Sequence, residues 1–246
     1  MKESFSIQAG DFLFKNAFPI YDFIYPYFKR KQDKTEIDLL KQHIKPGDIV
    51  LDIGANIGFY TSILSQLAGN KGQVHAFEPD ITNFKYLKRK TSHLKNITIN
   101  AAAVNSNGGK ITVYVSPMLN VDHRTYEPEN YASKYEMDAV SIDEYLQKNK
   151  KVDFIKMDIQ GFEFEALKGM EKTLAFNNEI KILSEFWPYG FTKAGCDALT
   201  VAQWIWDKGF TITLMHDVHQ TLMNEKSIDE LPVEEKKYFN IFIQRR

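Results

Sequence analysis

A carboxylate at the end of a short apolar run, followed at once by glycines, holds a ligand with backbone and acid together. In VLDIGANIGFY, Val50 to Tyr60, Asp52 stands just before Gly54, and Gly58 follows in the first turn of an apparent helix. Gly54 falls where an apolar strand must turn sharply, and a residue without Cβ there takes positive φ and lets a ligand approach closely. Asp52 is suited to accept from an ammonium or a backbone donor, and Ala55 and Asn56 complete the turn. Behind it, in HAFEP, Glu78 ends the next apolar strand and is placed to take both ribose hydroxyls, at roughly 1.5–3 kcal/mol per charge-assisted bond. The dinucleotide fingerprint G-x-G-x-x-G needs glycine where Asn56 and Phe59 stand, and those side chains would obstruct a pyrophosphate. The pair therefore describes an adenosine pocket and not a dinucleotide one.

Ligands of open α/β sheets sit beyond the carboxyl ends of the strands, so the residues just after each strand complete the candidate site. Ala102, with Ala101 and Ala103, leaves room for an adenine ring beside the third strand. Asp158 emerges from the apolar strand Val152 to Ile159, and Glu163 opens the next helix, where an acid also favours the helix dipole. Glu185 and Trp187 end a further strand and fall on the acceptor side. Asp122, His123 and Arg124 lie in a polar stretch, Ser116 to Asp138, that is expected to be irregular and to cover the acceptor. Imidazole is the side chain whose ordinary pKa suits removing a proton near neutrality, which makes His123 a candidate base, with Asp158 as the alternative and Glu163 beside it as a further catalytic candidate. Asp158, Glu185 and His216 form a conceivable Mg²⁺ or Mn²⁺ set, but strand-end acids are common without metals and no metal is expected.

The elements that must position these residues alternate along the chain. Strands are expected at Asp48 to Ile53, Gln73 to Phe77, Ile97 to Val104, Val152 to Ile159, Ile180 to Phe186, Phe210 to Met215 and Tyr238 to Gln244, with helices between them. This βαβαβ order implies a mostly parallel sheet of seven strands with helices on both faces. Asn107-Gly108-Gly109 reads as a hairpin signal with one extra strand after it. Pro46-Gly47 separates this domain, 46–246, from an N-terminal extension, 1–45, whose stretch Phe12 to Lys31 is dense in aromatics. Those aromatics are expected in short helices packed on the domain or roofing its acceptor pocket, with an interfacial membrane anchor aided by Lys29, Arg30, Lys31 and Lys34 as the rival reading.

A chain of 246 residues with 31 basic and 32 acidic side chains carries a net charge of −1, which leaves no footprint for nucleic acid. The single cysteine, Cys196, excludes an internal disulfide, and no apolar run reaches the ~20 residues of a membrane span. A cytoplasmic protein is the expectation.

Three spaced motifs carry a resemblance: Asp52-Ile53-Gly54-Ala55-Asn56-Ile57-Gly58, Phe77-Glu78-Pro79, and Lys156-Met157-Asp158-Ile159-Gln160-Gly161-Phe162-Glu163. The chain resembles the FkbM family of class I S-adenosylmethionine-dependent methyltransferases, with a Rossmann-like α/β fold. The resemblance implies S-adenosylmethionine as cofactor and O-methylation of a hydroxyl on a sugar, glycolipid or secondary metabolite. It adds weight to the Asp122-His123 pair, whereas Gln160 stands where the family often has Glu. Two alternatives stay open: a non-catalytic S-adenosylmethionine-binding protein and a nicotinamide-dependent oxidoreductase.

Overall fold

The protein is seen in a computed structural model that describes residues 10, 12–14, 16–115, 131, 133–147, 150–215 and 220–246. Helices α1 (Phe18–Gln32) and α2 (Lys34–His43) lead into strand β1 (Ile49–Ile53), then α3 (Phe59–Ala68), β2 (Gln73–Phe77), α4 (Ile81–Thr91) and β3 (Ile97–Asn100). Three strands follow, β4 (Ala103–Val104), β5 (Gly109–Val115) and β6 (Ser133–Val140), and then α5 (Ile142–Tyr145). The chain continues through β7 (Phe154–Met157), α6 (Glu163–Lys168), α7 (Glu171–Phe176), β8 (Lys181–Phe186), α8 (Pro188–Lys193) and α9 (Ala198–Asp207). It ends with β9 (Phe210–Met215), β10 (Gln220–Leu222), α10 (Glu225–Asp229) and β11 (Phe239–Arg245).

Strand β1 is buried on both faces from Val50 onward, as a run of Val, Leu and Ile requires when helices cover both sides of a parallel sheet. Alternate residues point to opposite faces. Leu51 and Ile53 join the core formed with α5, α6, α7 and α9. Val50 joins Leu39 and Leu40 of α2, Leu64 of α3, Phe154, Leu183 and Phe242 on the other. Helix α2, before Pro46, thus supplies part of the sheet's own core.

The main sheet has the order β10-β9-β11-β8-β7-β1-β2-β3, with β3, β2, β1, β7 and β8 parallel and β11 inserted antiparallel between β8 and β9. It has eight strands where seven are expected, because the short edge strand β10 adds to β9. The run Ile97 to Val104 is broken in two. The Asn100 carbonyl accepts the Glu78 amide and its side chain donates to the Ala76 carbonyl, which ends β3, and β4 then pairs with β6 in a separate sheet of order β4-β6-β5. Asn107-Gly108-Gly109 is a turn, held by the Asn105 carboxamide accepting from the Asn107 and Gly108 amides, but it makes no hairpin, since β6 lies between β4 and β5. The end of the stretch expected to be irregular is in fact β6, in antiparallel register with all of β5. The helix expected from Glu163 to Leu174 is two helices, α6 and α7. They meet at Gly169, where a Cβ would lie 2.0 Å from the Asn105 carbonyl oxygen.

The pairing of β1 with β7 brings the turn after one strand onto the end of the other. Gly54, at φ +82°, lies so close to Asp158 that a Cβ would sit 1.9 Å from the Asp158 carbonyl oxygen. Glycine is needed here for the approach of two strand ends. Gly54→Ala combines an overpacked contact with a left-handed backbone and should cost about 3 kcal/mol of stability or more, read as a lower urea midpoint at unchanged m-value. A wild-type midpoint would refute the contact.

Candidate functional site

The turn between β1 and α3 spends its own amides. The Gly54 and Ala55 N–H groups both donate to the Phe77 carbonyl, the Asn56 N–H to Glu78 Oε2 at 2.7 Å, the Ile57 N–H to Asn56 Oδ1, and the Gly58 N–H to the Ala55 carbonyl. A phosphate cradle needs such amides aimed outward, so this turn is not built for one. Asn56 adopts the left-handed backbone and Gly58 caps α3.

Glu78 is buried where β2 ends. Its Oε2 accepts from Asn56 and its Oε1 from the Asp80 amide at 2.8 Å, and the Asn83 side chain also hydrogen-bonds the carboxyl, which still leaves acceptor capacity on it. Burial pushes its carboxyl up to about 8, against the pull of those two amides. Asp52 faces α3 beside Lys156, its partner in register. Thr61 donates to Asp52 Oδ2 at 2.6 Å, while Oδ1 is buried without a hydrogen-bond partner. Burial raises its carboxyl and the Lys156 ammonium opposes the rise.

Asp158 follows β7 with its side chain 42 % exposed. Gln160 donates to Oδ1 at 2.9 Å and Lys156 to Oδ2 at 3.4 Å. Desolvation would raise this carboxyl, but the Lys156 and Lys29 charges outweigh it and hold it below its usual range. Glu163 is its opposite, at 1 % exposure. Its Oε1 accepts the Ile159 amide at 2.9 Å, closing the loop that presents Asp158, and its Oε2 is buried without a partner. Burial pushes it up to about 7.

The structure therefore brings Asp52, Gly54, Ala55, Asn56, Gly58, Glu78, Asp158 and Glu163 to one end of β1, β2 and β7. Ala102 is buried between β3 and β4. Glu185 is buried at the end of the adjacent β8. Trp187 is buried as well, its indole N–H donating to the Glu235 carbonyl at 3.1 Å. Asp122, His123, Arg124 and His216 lie outside the described residues, and no cluster of three or more His, Cys, Asp or Glu side chains suited to a metal occurs among the described ones.

A second layer escapes the sequence reading. Lys156 is buried with its Nζ 4.8 Å over the Tyr60 ring. The Tyr60 hydroxyl donates to Asp33 Oδ2 at 2.5 Å, and Lys29 of α1 pairs with the same oxygen at 2.8 Å. Burial would lower Lys29, yet Asp33 holds it above its usual value, and burial followed by Asp33 raises the hydroxyls of Tyr25 and Tyr60. Through the Lys29–Asp33 pair, the Tyr60–Asp33 bond and Lys156 over the Tyr60 ring, α1 is tied to the corner of the site that holds Asp158. The one sequence signal for this layer is a lysine inside an apolar central strand, which demands a partner.

Residues 52–224 match the family described as methyltransferase FkbM domain. Among curated proteins the chain is similar to the hexuronic acid methyltransferase AglP of Haloferax volcanii, 30% identical over 146 residues that make up 58% of each chain. It is also similar to the 2-O-methyltransferase NoeI of Sinorhizobium fredii, 24% identical over 147 residues, 53% of this chain and 60% of that one. The chain spans less than two thirds of the length of either relative. A crystal structure of the FkbM methyltransferase from Methylobacillus flagellatus shares the fold at a TM-score of 0.52 and 18% identity, covering 84% of this chain and 50% of the other.

The burial of Glu163 has a pH signature. Its folded carboxyl titrates near 7 against an ordinary 4.5, so the native state holds a proton that the unfolded chain has released. Stability from this group is full below about 4.5 and is lost as pH rises toward 7. Glu163→Gln should remove that loss, gaining on the wild type by on the order of 2 kcal/mol between pH 5 and pH 8 in paired denaturant titrations. A constant difference across the range would contradict the buried, protonated carboxyl.

Proposed function

We propose that this chain, which belongs to the FkbM methyltransferase family, transfers the methyl group of S-adenosylmethionine to a hydroxyl of a sugar or sugar-bearing acceptor. One observation carries the reading: buried carboxyl oxygens of Asp52 and Glu163 without partners stand at the strand ends beside a turn whose amides are all engaged. Such a site suits a ligand rich in donors and positive charge and poor in phosphate. The carboxyls Asp52, Glu78, Asp158, Glu163 and Glu185 outnumber the nearby cations Lys156 and Lys29, and a bound ammonium and sulfonium would draw those that burial raises toward their ionised forms. That balance and the filled turn weigh against a nicotinamide dinucleotide.

When bound, S-adenosylmethionine supplies a methyl group already activated by its sulfonium charge. Glu78 offers its free lone pairs to the ribose hydroxyls, Asp52 its orphaned oxygen to a donor on the ligand, and Gly54, Ala55, Asn56 and Gly58 frame the turn. Ala102 leaves space for the adenine edge. Asp158, kept ionised by Lys156 and Lys29, accepts from the acceptor hydroxyl and aligns it, while Glu163 holds the Asp158 loop in place. Alignment of this kind can supply on the order of 7–11 kcal/mol of barrier lowering. Asp158 is too acidic to be an efficient base near neutrality, which leaves proton removal to His123, with Asp122, Arg124, Glu185 and Trp187 around the acceptor. The named activities of the two curated relatives, on a hexuronic acid and at a 2-O position, support a sugar hydroxyl as the target. The partners are then a small glycan acceptor and no nucleic acid, in the cytoplasm, where a lone Cys196 stays reduced. Among the described residues no helix is long and apolar enough to cross a membrane.

Labelled S-adenosylmethionine incubated with a panel of uronic acids, neutral sugars and glycolipids should yield a methylated sugar. Cofactor bound but never consumed would instead identify a binding protein. His123→Ala should retain cofactor affinity and lose about 10²–10⁴ in turnover, and full activity would remove it from the mechanism. Calorimetry tests Glu78. Because its carboxyl sits near 8 and ribose hydroxyls favour the ionised form, affinity for S-adenosylmethionine should rise between pH 6.5 and 8.5, by at most about tenfold per unit, and Glu78→Gln should flatten the rise. A pH-independent wild type would refute the ribose assignment.

A further inference from the structure

Helix α1 has two faces. Its inner face carries Phe18, Tyr21, Tyr25 and Lys29. Phe18 stacks on Tyr86 of α4 at a centroid distance of 3.5 Å, and Tyr25 meets Phe59 edge-on. Its outer face carries Ile20, Phe23 and Tyr27, spaced three and four apart, and all three are exposed, Phe23 to 86 %. Phe12 continues the apolar surface before the helix, and Arg30 and Lys31 end the stripe, both exposed. The acids among the described residues from 12 to 34 are both paired, Asp22 with Lys90 and the buried Asp33 with Lys29.

The neighbouring surface has the same sign. Helix α4, joined to α1 by the Phe18–Tyr86 stack and the Lys90–Asp22 ion pair, exposes Lys85, Lys88 and Arg89. From Ile81 to Val121 the chain contains no Asp or Glu. A row of large apolar side chains with a cationic border and no anionic one fits an interface whose interior is hydrocarbon and whose surface is negative. A second copy of the chain fits poorly, since Arg30 and Lys31 would face either their own counterparts or the Phe12 to Ile20 end of the other stripe, and neither end exposes an acid among the described residues of the stripe. RNA fits poorly too, because Ile20 and Phe23 occupy the middle of the stripe, where phosphate contacts would need donors.

We propose that the outer face of α1, with the basic edge of α4, docks this protein on an anionic lipid surface. Contact there sets the helix that carries Tyr25 and Lys29 on its inner face against the bilayer. Burial of the Ile20, Phe23 and Tyr27 side chains supplies the apolar term, and Lys31, Lys88 and Arg89 add an electrostatic one that salt weakens.

Co-sedimentation of the full chain with vesicles tests this, using phosphatidylcholine alone and phosphatidylcholine with a third of phosphatidylglycerol. Binding is expected to the anionic vesicles only and should weaken in raised salt. Ile20→Ser with Phe23→Ser should lower the partition coefficient about tenfold or more, and Lys88→Glu with Arg89→Glu by about fivefold or more. Circular dichroism and cofactor affinity should stay those of the wild type in both variants. Absence of binding to anionic vesicles overturns the proposal. So does a stable dimer dispersed by the Ile20 and Phe23 changes, or binding to RNA that those changes abolish.

Discussion

The structure is organised around a group of carboxyls that its own fold forces out of water. Asp52, Glu78 and Glu163 are buried at the carboxyl ends of three adjacent parallel strands, and Asp52 and Glu163 each keep one oxygen without a partner. An ionised carboxylate so placed is costly, and the protein's response is to raise the pKa of all three. The cost is tolerable because the surrounding sheet is fixed by two large apolar cores, one on each face. What would be a defect in a core is an unfilled bonding capacity at a site.

Every element near the site serves that arrangement. The β1–β7 register sets Asp52 beside Lys156, the one buried cation there among the described residues, and the Tyr60 ring covers its Nζ. The space a Cβ of Gly54 would take is filled by the Asp158 carbonyl, so the turn and the Asp158 loop are packed directly against each other. Glu163 closes that loop from below through the Ile159 amide. From the other side α1 brings Lys29, which joins Lys156 in holding Asp158 below its usual range while burial raises its neighbours. Two carboxyls five residues apart are thus pushed in opposite directions, and differing roles follow.

What the sequence made legible is what is local. The strand, the glycine turn and the helix of Val50 to Leu67 are encoded in consecutive residues, and Glu78 and Asp158 follow from strands apolar enough to be central. The rest depends on contacts that spacing does not reveal. Asn107-Gly108-Gly109 announces a turn but not that β6 will lie between the strands on either side of it. Asn100 ends β3 through bonds to a neighbouring strand, which no propensity records. Gly54 was legible as a glycine position, yet its closest neighbour is a carbonyl from a strand a hundred residues away. The Lys29–Asp33–Tyr60 cluster joins α1 to α3, so the aromatic segment was legible as helices that pack on the sheet or roof the acceptor pocket, but not which of its polar residues reach toward the site.

The central claim is that the buried carboxyls of β1 and β2 form the seat of the cofactor. A crystal structure with S-adenosylhomocysteine tests it most directly. The account predicts the ribose hydroxyls within hydrogen-bonding distance of Glu78 and a donor of the ligand on the open oxygen of Asp52, with the turn amides still bonded to Phe77 and Glu78. Density for the ligand elsewhere, or a turn that rearranges to offer its amides to the ligand, would contradict it.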